Sequence, residues 1–137
     1  YWYHNACLYP DMASCFIMLD KANKENGCLK VLRGSHRVGR ISHERSDTPE
    51  QTADNERISE LEKRHESVYI EAEPGDALFF HANLLHSSDA NNSQNSRRTL
   101  IVCFNTKSNN PYKEIGHASY NQLKVANHNS IMEYKID

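Results

Sequence analysis

Apolar positions in this chain fall in short clusters rather than long stripes. Cys15-Phe16-Ile17-Met18-Leu19 is a continuous apolar run, and Cys28-Leu29-Lys30-Val31-Leu32 alternates more clearly. Between them lies KANKENG, a polar connection ending on Gly27. Val68, Ile70 and Ala72 alternate with Tyr69, Glu71 and Glu73, so that one face is wet and the other dry. Pro74-Gly75-Asp76 is a turn signal, and Ala77 to Phe80 after it reads as a buried strand. Thr99 to Phe104 is apolar on both faces, as a strand sandwiched in a core would be. Two strands joined by a short turn are expected around KANKENG. Many short strands punctuated by turns predict an all-β sandwich or barrel.

The segment 37–66 breaks this pattern. It is rich in charge and poor in large apolar residues, and it reads as a surface insertion between strands. Thr48-Pro49-Glu50-Gln51 matches a capping box with proline at the first helical position, which predicts a helix from about Pro49 to Lys63. Ile58 and Leu61 would touch the body. The stretch 106–137 has little periodicity and reads as a peripheral tail of loops and short turns. There is no internal repeat. The length of 137 residues suits a single domain spanning 1–137.

Composition narrows the function. A formal charge of −2 and a pI near 6.5 give no global reason to expect nucleic acid or an anionic membrane as partner. No apolar run approaches the roughly 20 residues of a membrane helix. The four cysteines, Cys7, Cys15, Cys28 and Cys103, form no CxxC pair, and three sit in strand-like runs. They read as buried free thiols, which implies the cytoplasm or another reducing intracellular compartment. The chain opens on Tyr1-Trp2-Tyr3, which reads like the inside of a domain and predicts a missing N-terminal part.

The stretch FFHANLLHSSDANNSQNSRR, Phe79 to Arg98, holds the candidate chemistry. It ends an apolar run on two imidazoles and presents a pair of guanidinium groups downstream. His86 suits iron, zinc, copper or nickel as a neutral imidazole, although a single histidine at a strand end is more often structural. Arg97 opens the next strand. If the two strands pair antiparallel through the polar turn, His86 and Arg97 come near each other, and the arginine fork fits a carboxylate. Ser88 shares the face of His86 on an extended strand and can donate to the same carboxylate. Arg98 competes with Arg97, whose bland alternative is a surface salt bridge. His81 would face the opposite side of one extended strand from His86 and is read as structural.

ENGCLKVLRGSH (Glu25 to His36), PGDALFFHANLLHSSDANNS (Pro74 to Ser93) and the arginine at position 97 together resemble the phytanoyl-CoA dioxygenase family, over about Tyr9 to Asn105. The resemblance implies a non-haem Fe(II), 2-oxoglutarate-dependent oxygenase on a double-stranded β-helix, the cupin-like jelly roll. It implies that His86 is the distal iron ligand, that Arg97 binds the far carboxylate of 2-oxoglutarate, and that Ser88 also contacts the cosubstrate. Phe16 stands where an aromatic lines the cosubstrate pocket. Substrates would be a small organic molecule and O₂. The insertion and the tail would border the substrate pocket, and they carry no basic cluster to announce the phosphates of coenzyme A.

The family's HxD motif is absent. It would precede ENGC by about thirty residues, just before Tyr1, so truncation is the expected explanation, and such a fragment alone would bind iron weakly and be inactive. His4-Asn5-Ala6 reads HxA, as in halogenases that replace the carboxylate by alanine, but it lies several residues too close to Gly27. Asp11 and Asp20 have no histidine two residues before them. A non-catalytic β-helix module that has lost its metal is the alternative from another class.

Overall fold

The structure, a computed structural model, describes residues 6–44, 52–114 and 121–133. Within them the strands are β1 (Met12–Met18), β2 (Leu29–Leu32), β3 (His43–Glu44), β4 (Thr52–Ala53), β5 (Ser67–Tyr69), β6 (Ala77–His81), β7 (His86–Ser88) and β8 (Thr99–Asn105). The helices are α1 (Asn55–Glu62) and the short α2 (Ser130–Glu133), with a 3-10 turn at Ser35–Arg37. The fold is mostly β.

Two three-stranded antiparallel sheets dominate, ordered β6-β1-β8 and β5-β2-β7, and β3 and β4 form a separate ribbon. In the first, Ser14 stands opposite Phe80 and Phe16 opposite Leu78. In the second, Val31 lies between Val68 and His86. The faces meet in a core of Leu29, Val31 and Phe80, against which Phe16, Val68, Ile70, Leu78 and Leu84 pack. A second cluster of Met18, Ala22 and Cys28 adjoins it, and Phe16 touches both. Period-two alternation builds this core, because every second residue of β1 and β2 points inward.

Several expectations change on this architecture. The strands flanking KANKENG do not pair: β1 belongs to one sheet and β2 to the other. The connection therefore crosses between sheets. In β6, Phe80 is buried but Phe79 is 68% exposed, because neighbouring side chains alternate across the sheet. β8 is not sandwiched: among the described residues it pairs with β1 alone, and Leu100 and Ile101 are 51% and 54% exposed. Cys7, Cys15 and Cys28 are buried, whereas Cys103 on β8 is exposed.

The helix starts later than the Thr48 box predicts. Thr52–Ala53 pairs with His43–Glu44 as a strand, and α1 begins at Asn55. Its cap is Asp54, whose carboxylate accepts the backbone N–H of Arg57 at 2.8 Å. Thr48 to Gln51 lie outside the described residues. Ile58 and Leu61 are half-buried. Among the described residues no helix is long and apolar enough to cross a membrane.

Candidate functional site

β2 collects the candidate residues along its length. His86 stands opposite Val31, Ser88 opposite Leu29, and Arg97 donates from Nε to the carbonyl of Asn26 just before the strand, at 3.1 Å. The three thus follow one another along β2 and the turn that leads into it. The pairing expected between the His86 strand and the Arg97 strand does not form. β7 pairs with β2 and β8 with β1, so no hairpin joins the two residues: His86 lies opposite Val31, whereas Arg97 reaches the turn before Leu29.

Glycine makes this approach possible. Gly27 has φ +75°, and a Cβ there would lie 2.3 Å from the carbonyl oxygen of Asp89. Only a residue without a side chain lets the Asn26–Gly27 turn press against the chain leaving β7. The turn is itself locked by reciprocal bonds. Asn23 Oδ1 accepts from Asn26 N at 2.9 Å, and Asn26 Oδ1 accepts from Asn23 N at 2.8 Å. Asn26 Nδ2 donates to the Lys21 carbonyl at 2.8 Å, and its residue is buried. The carbonyl that receives Arg97 is therefore rigid. Sequence reasoning missed this brace, although two asparagines three apart around Lys-Glu are a turn signal.

His86 is exposed on its strand, with aromatic rings beneath it. Its ring centre lies 5.1 Å from that of Phe80 and 6.5 Å from that of Phe16, and those two rings meet edge to face at 5.0 Å. Nδ1 lies 2.8 Å from the Leu84 carbonyl oxygen. A carbonyl only accepts, so Nδ1 carries the hydrogen and Nε2 of the neutral ring keeps its lone pair. That is the tautomer of an Nε2 metal ligand. The Ser88 hydroxyl has no partner among the described residues.

The two arginines differ sharply. Arg98 is saturated by Asp20: Nε donates to Oδ2 and an η nitrogen to Oδ1, each at 2.9 Å, and the Arg98 N–H adds a bond of 2.8 Å to Oδ2. The Arg98 side-chain and backbone hydrogen bonds hold the Asp20 carboxyl down at about 2. Arg97, half-buried, meets no carboxylate among the described residues. Its charge is felt by the Cys28 thiol, which burial, with Glu71 adding, pushes up and Arg97 pulls back.

His81 is not on one strand with His86. It ends β6 in the other sheet, where its Nδ1 accepts from Asn83 N at 3.1 Å and its ring lies 6.0 Å from that of His36. Asp11 is exposed at the start of β1. His4 and Asn5 lie outside the described residues, as do Tyr1 to Tyr3; Ala6 is buried. A cleft of about 330 Å³ between α1 and the segment around Val38 and Ile41 is lined by none of His86, Ser88 or Arg97.

Iron can be tested against these residues. His86 fits as one ligand by its tautomer, and Arg97 fits a carboxylate by its lack of one. Among the described residues no three histidine, cysteine, aspartate or glutamate side chains are grouped to hold a metal. The described residues therefore offer His86 as a single metal-ligating group, not a complete metal site.

The model of the family described as phytanoyl-CoA dioxygenase (PhyH) matches residues 1–99. The chain belongs to the phytanoyl-CoA dioxygenase family. Phytanoyl-CoA dioxygenase 1 of Oryza sativa subsp. japonica is 35% identical over 108 residues, covering 72% of this chain and 35% of the relative. Ectoine dioxygenase of Sphingopyxis alaskensis is 32% identical over 113 residues, 75% of this chain and 37% of the relative. The crystal structure of EctD from S. alaskensis with 2-oxoglutarate and 5-hydroxyectoine superposes with a TM-score of 0.64 at 26% identity, over 77% of this chain and 34% of that one. The same protein with bound Fe gives 0.62 at 30% identity, over 74% and 34%. The chain spans about a third of the length of these relatives.

Proposed function

We propose that this chain is part of an Fe(II)/2-oxoglutarate-dependent dioxygenase that hydroxylates a small organic substrate on a jelly-roll core. The observation that carries the reading is an imidazole whose Nε2 is bare and an arginine that meets no carboxylate, both among the described residues and set along one strand and its turn. His86 would hold the iron through Nε2. Arg97 would take the far carboxylate of 2-oxoglutarate, and the Ser88 hydroxyl would donate to it. Phe16 and Phe80 would form the apolar floor that keeps water from the metal's side of the site. Iron, when bound, supplies the oxidative chemistry with O₂ and 2-oxoglutarate; the protein's part is to orient the reactants and exclude water. Segment 37–66 would act as an insertion, and 106–137 as a peripheral tail. On its own, without an HxD motif, the chain would be inactive. Three buried thiols suit a reducing intracellular compartment.

A second reading is favoured by the absence of a three-ligand cluster among the described residues. In it the chain is a metal-free module that binds a dicarboxylate at Arg97.

Titration of 2-oxoglutarate into the Fe(II)-loaded protein tests both. Arg97→Ala should weaken binding by about 2–5 kcal/mol, because a desolvated carboxylate loses its charged partner. Arg98→Ala should leave it unchanged, since Arg98 is already engaged by Asp20. Affinity unmoved by Arg97→Ala sinks the assignment. Equal affinity with and without iron favours the metal-free module.

A further inference from the structure

The RGSH stretch contributes no group to the site as described, yet Ser35 within it is completely buried. Gly34, at φ +85°, turns the chain into the 3-10 segment and delivers Ser35 beneath the strand end that carries His86. Ser35 Oγ accepts the backbone N–H of Leu85 at 2.9 Å. His86 Nδ1 donates to the carbonyl of Leu84 at 2.8 Å. The Leu85 N–H and the Leu84 C=O are the two ends of one peptide group. Ser35 therefore holds one end of the rigid plane whose other end holds the imidazole.

We propose that Ser35 is a positioning residue for His86, acting through the Leu84–Leu85 peptide to fix both the ring's orientation and its Nδ1–H tautomer. Two effects add. The hydroxyl stops the peptide plane from rotating, and an accepted N–H makes the opposite carbonyl a better acceptor, as in any chain of hydrogen bonds. The Leu85 carbonyl is pinned as well, by Leu32 N at 3.0 Å, so the residue before His86 is clamped on both sides. The tautomer stands independently of metal; only its consequence rests on the reading of His86 as a ligand. Partners that orient a ligating histidine typically change metal affinity by 10–100-fold when lost.

Long-range proton–nitrogen spectra of the ¹⁵N-labelled protein read the His86 tautomer directly, with no activity assay. Wild type should show the Nδ1–H form alone. Ser35→Ala should mix the tautomers and weaken Zn²⁺ binding at His86 by roughly 10-fold or more, and Ser35→Thr, which keeps the hydroxyl, should restore both. A single Nδ1–H tautomer in Ser35→Ala overturns the proposal. If that variant fails to fold, exchange of the Leu85 amide in wild type decides: protection supports the clamp, and exchange at the rate of an exposed amide overturns it. A wild-type Nε2 resonance unmoved by Zn²⁺ would overturn the ligand reading and leave the role of Ser35 standing.

Discussion

The seam along β2 and the edge at β8 are both made of apolar strand residues, and they end in opposite states. β2 is flanked on both sides, by β5 and β7, and Leu29, Val31 and Leu32 are buried. Among the described residues β8 is flanked on one side, and Leu100 and Ile101 are half exposed. The polar groups differ in the same way. Beside β2, Asn23, Asn26 and Ser35 spend their side chains on the backbone, and Arg97 bonds a carbonyl and, among the described residues, no anion. At the mouth of β8, Arg98 is closed off by Asp20. Buried polar groups were enlisted to shape the seam, while the edge holds an ordinary surface pair.

Four substitutions sharpen the contrast, in falling order of effect. Gly27→Ala should destabilise the chain by ~4 kcal/mol in denaturant unfolding, since left-handed strain and the collision with the Asp89 carbonyl add. A loss below about 1 kcal/mol would mean that the turn does not press on β7. Leu29→Ala, in the seam, should lose about 3 kcal/mol, and Leu100→Ala, on the edge, less than about 1 kcal/mol. Equal losses would show that the edge is covered in solution. The smallest effect concerns the Asp20–Arg98 pair. The folded Asp20 carboxyl titrates near 2, below its ordinary 3.8, so the pair's stabilisation is present above about pH 4 and fades as pH falls through 2. Thermal midpoints of wild type and Arg98→Ala should therefore differ slightly at pH 6 and converge at pH 2. A gap that persists at pH 2 would point to packing, not charge.

The strands were legible because alternation is a property of single strands, and β1, β2, β6 and β8 lie where the apolar runs predict them. Sheet membership was not, because it depends on which turn crosses between layers. KANKENG looks like a hairpin loop by composition, but the turn locked by Asn23 and Asn26 leads β2 into the opposite sheet. The same limit applied to His86 and Arg97: the polar turn between them suggested a hairpin, whereas β7 and β8 join different partners. The early start of the helix failed because the Thr48 box says nothing of pairing, and the β3–β4 ribbon takes Thr52–Ala53 as a strand and leaves the cap to Asp54. Which arginine is free could not be read from neighbouring letters, since Asp20 is remote in sequence. Ser35 was invisible for a related reason: its partner is a backbone amide, which leaves no mark in the side-chain pattern.

The uneven burial of the cysteines gives the native chain a chemical address. Three sulfurs are enclosed, and the fourth, on Cys103, is exposed on β8, an edge strand among the described residues. A maleimide dye or spin label applied under native conditions is thereby directed to β8 without mutagenesis. The same reagent becomes a gauge of integrity, because every further sulfur it reaches marks a core that has opened.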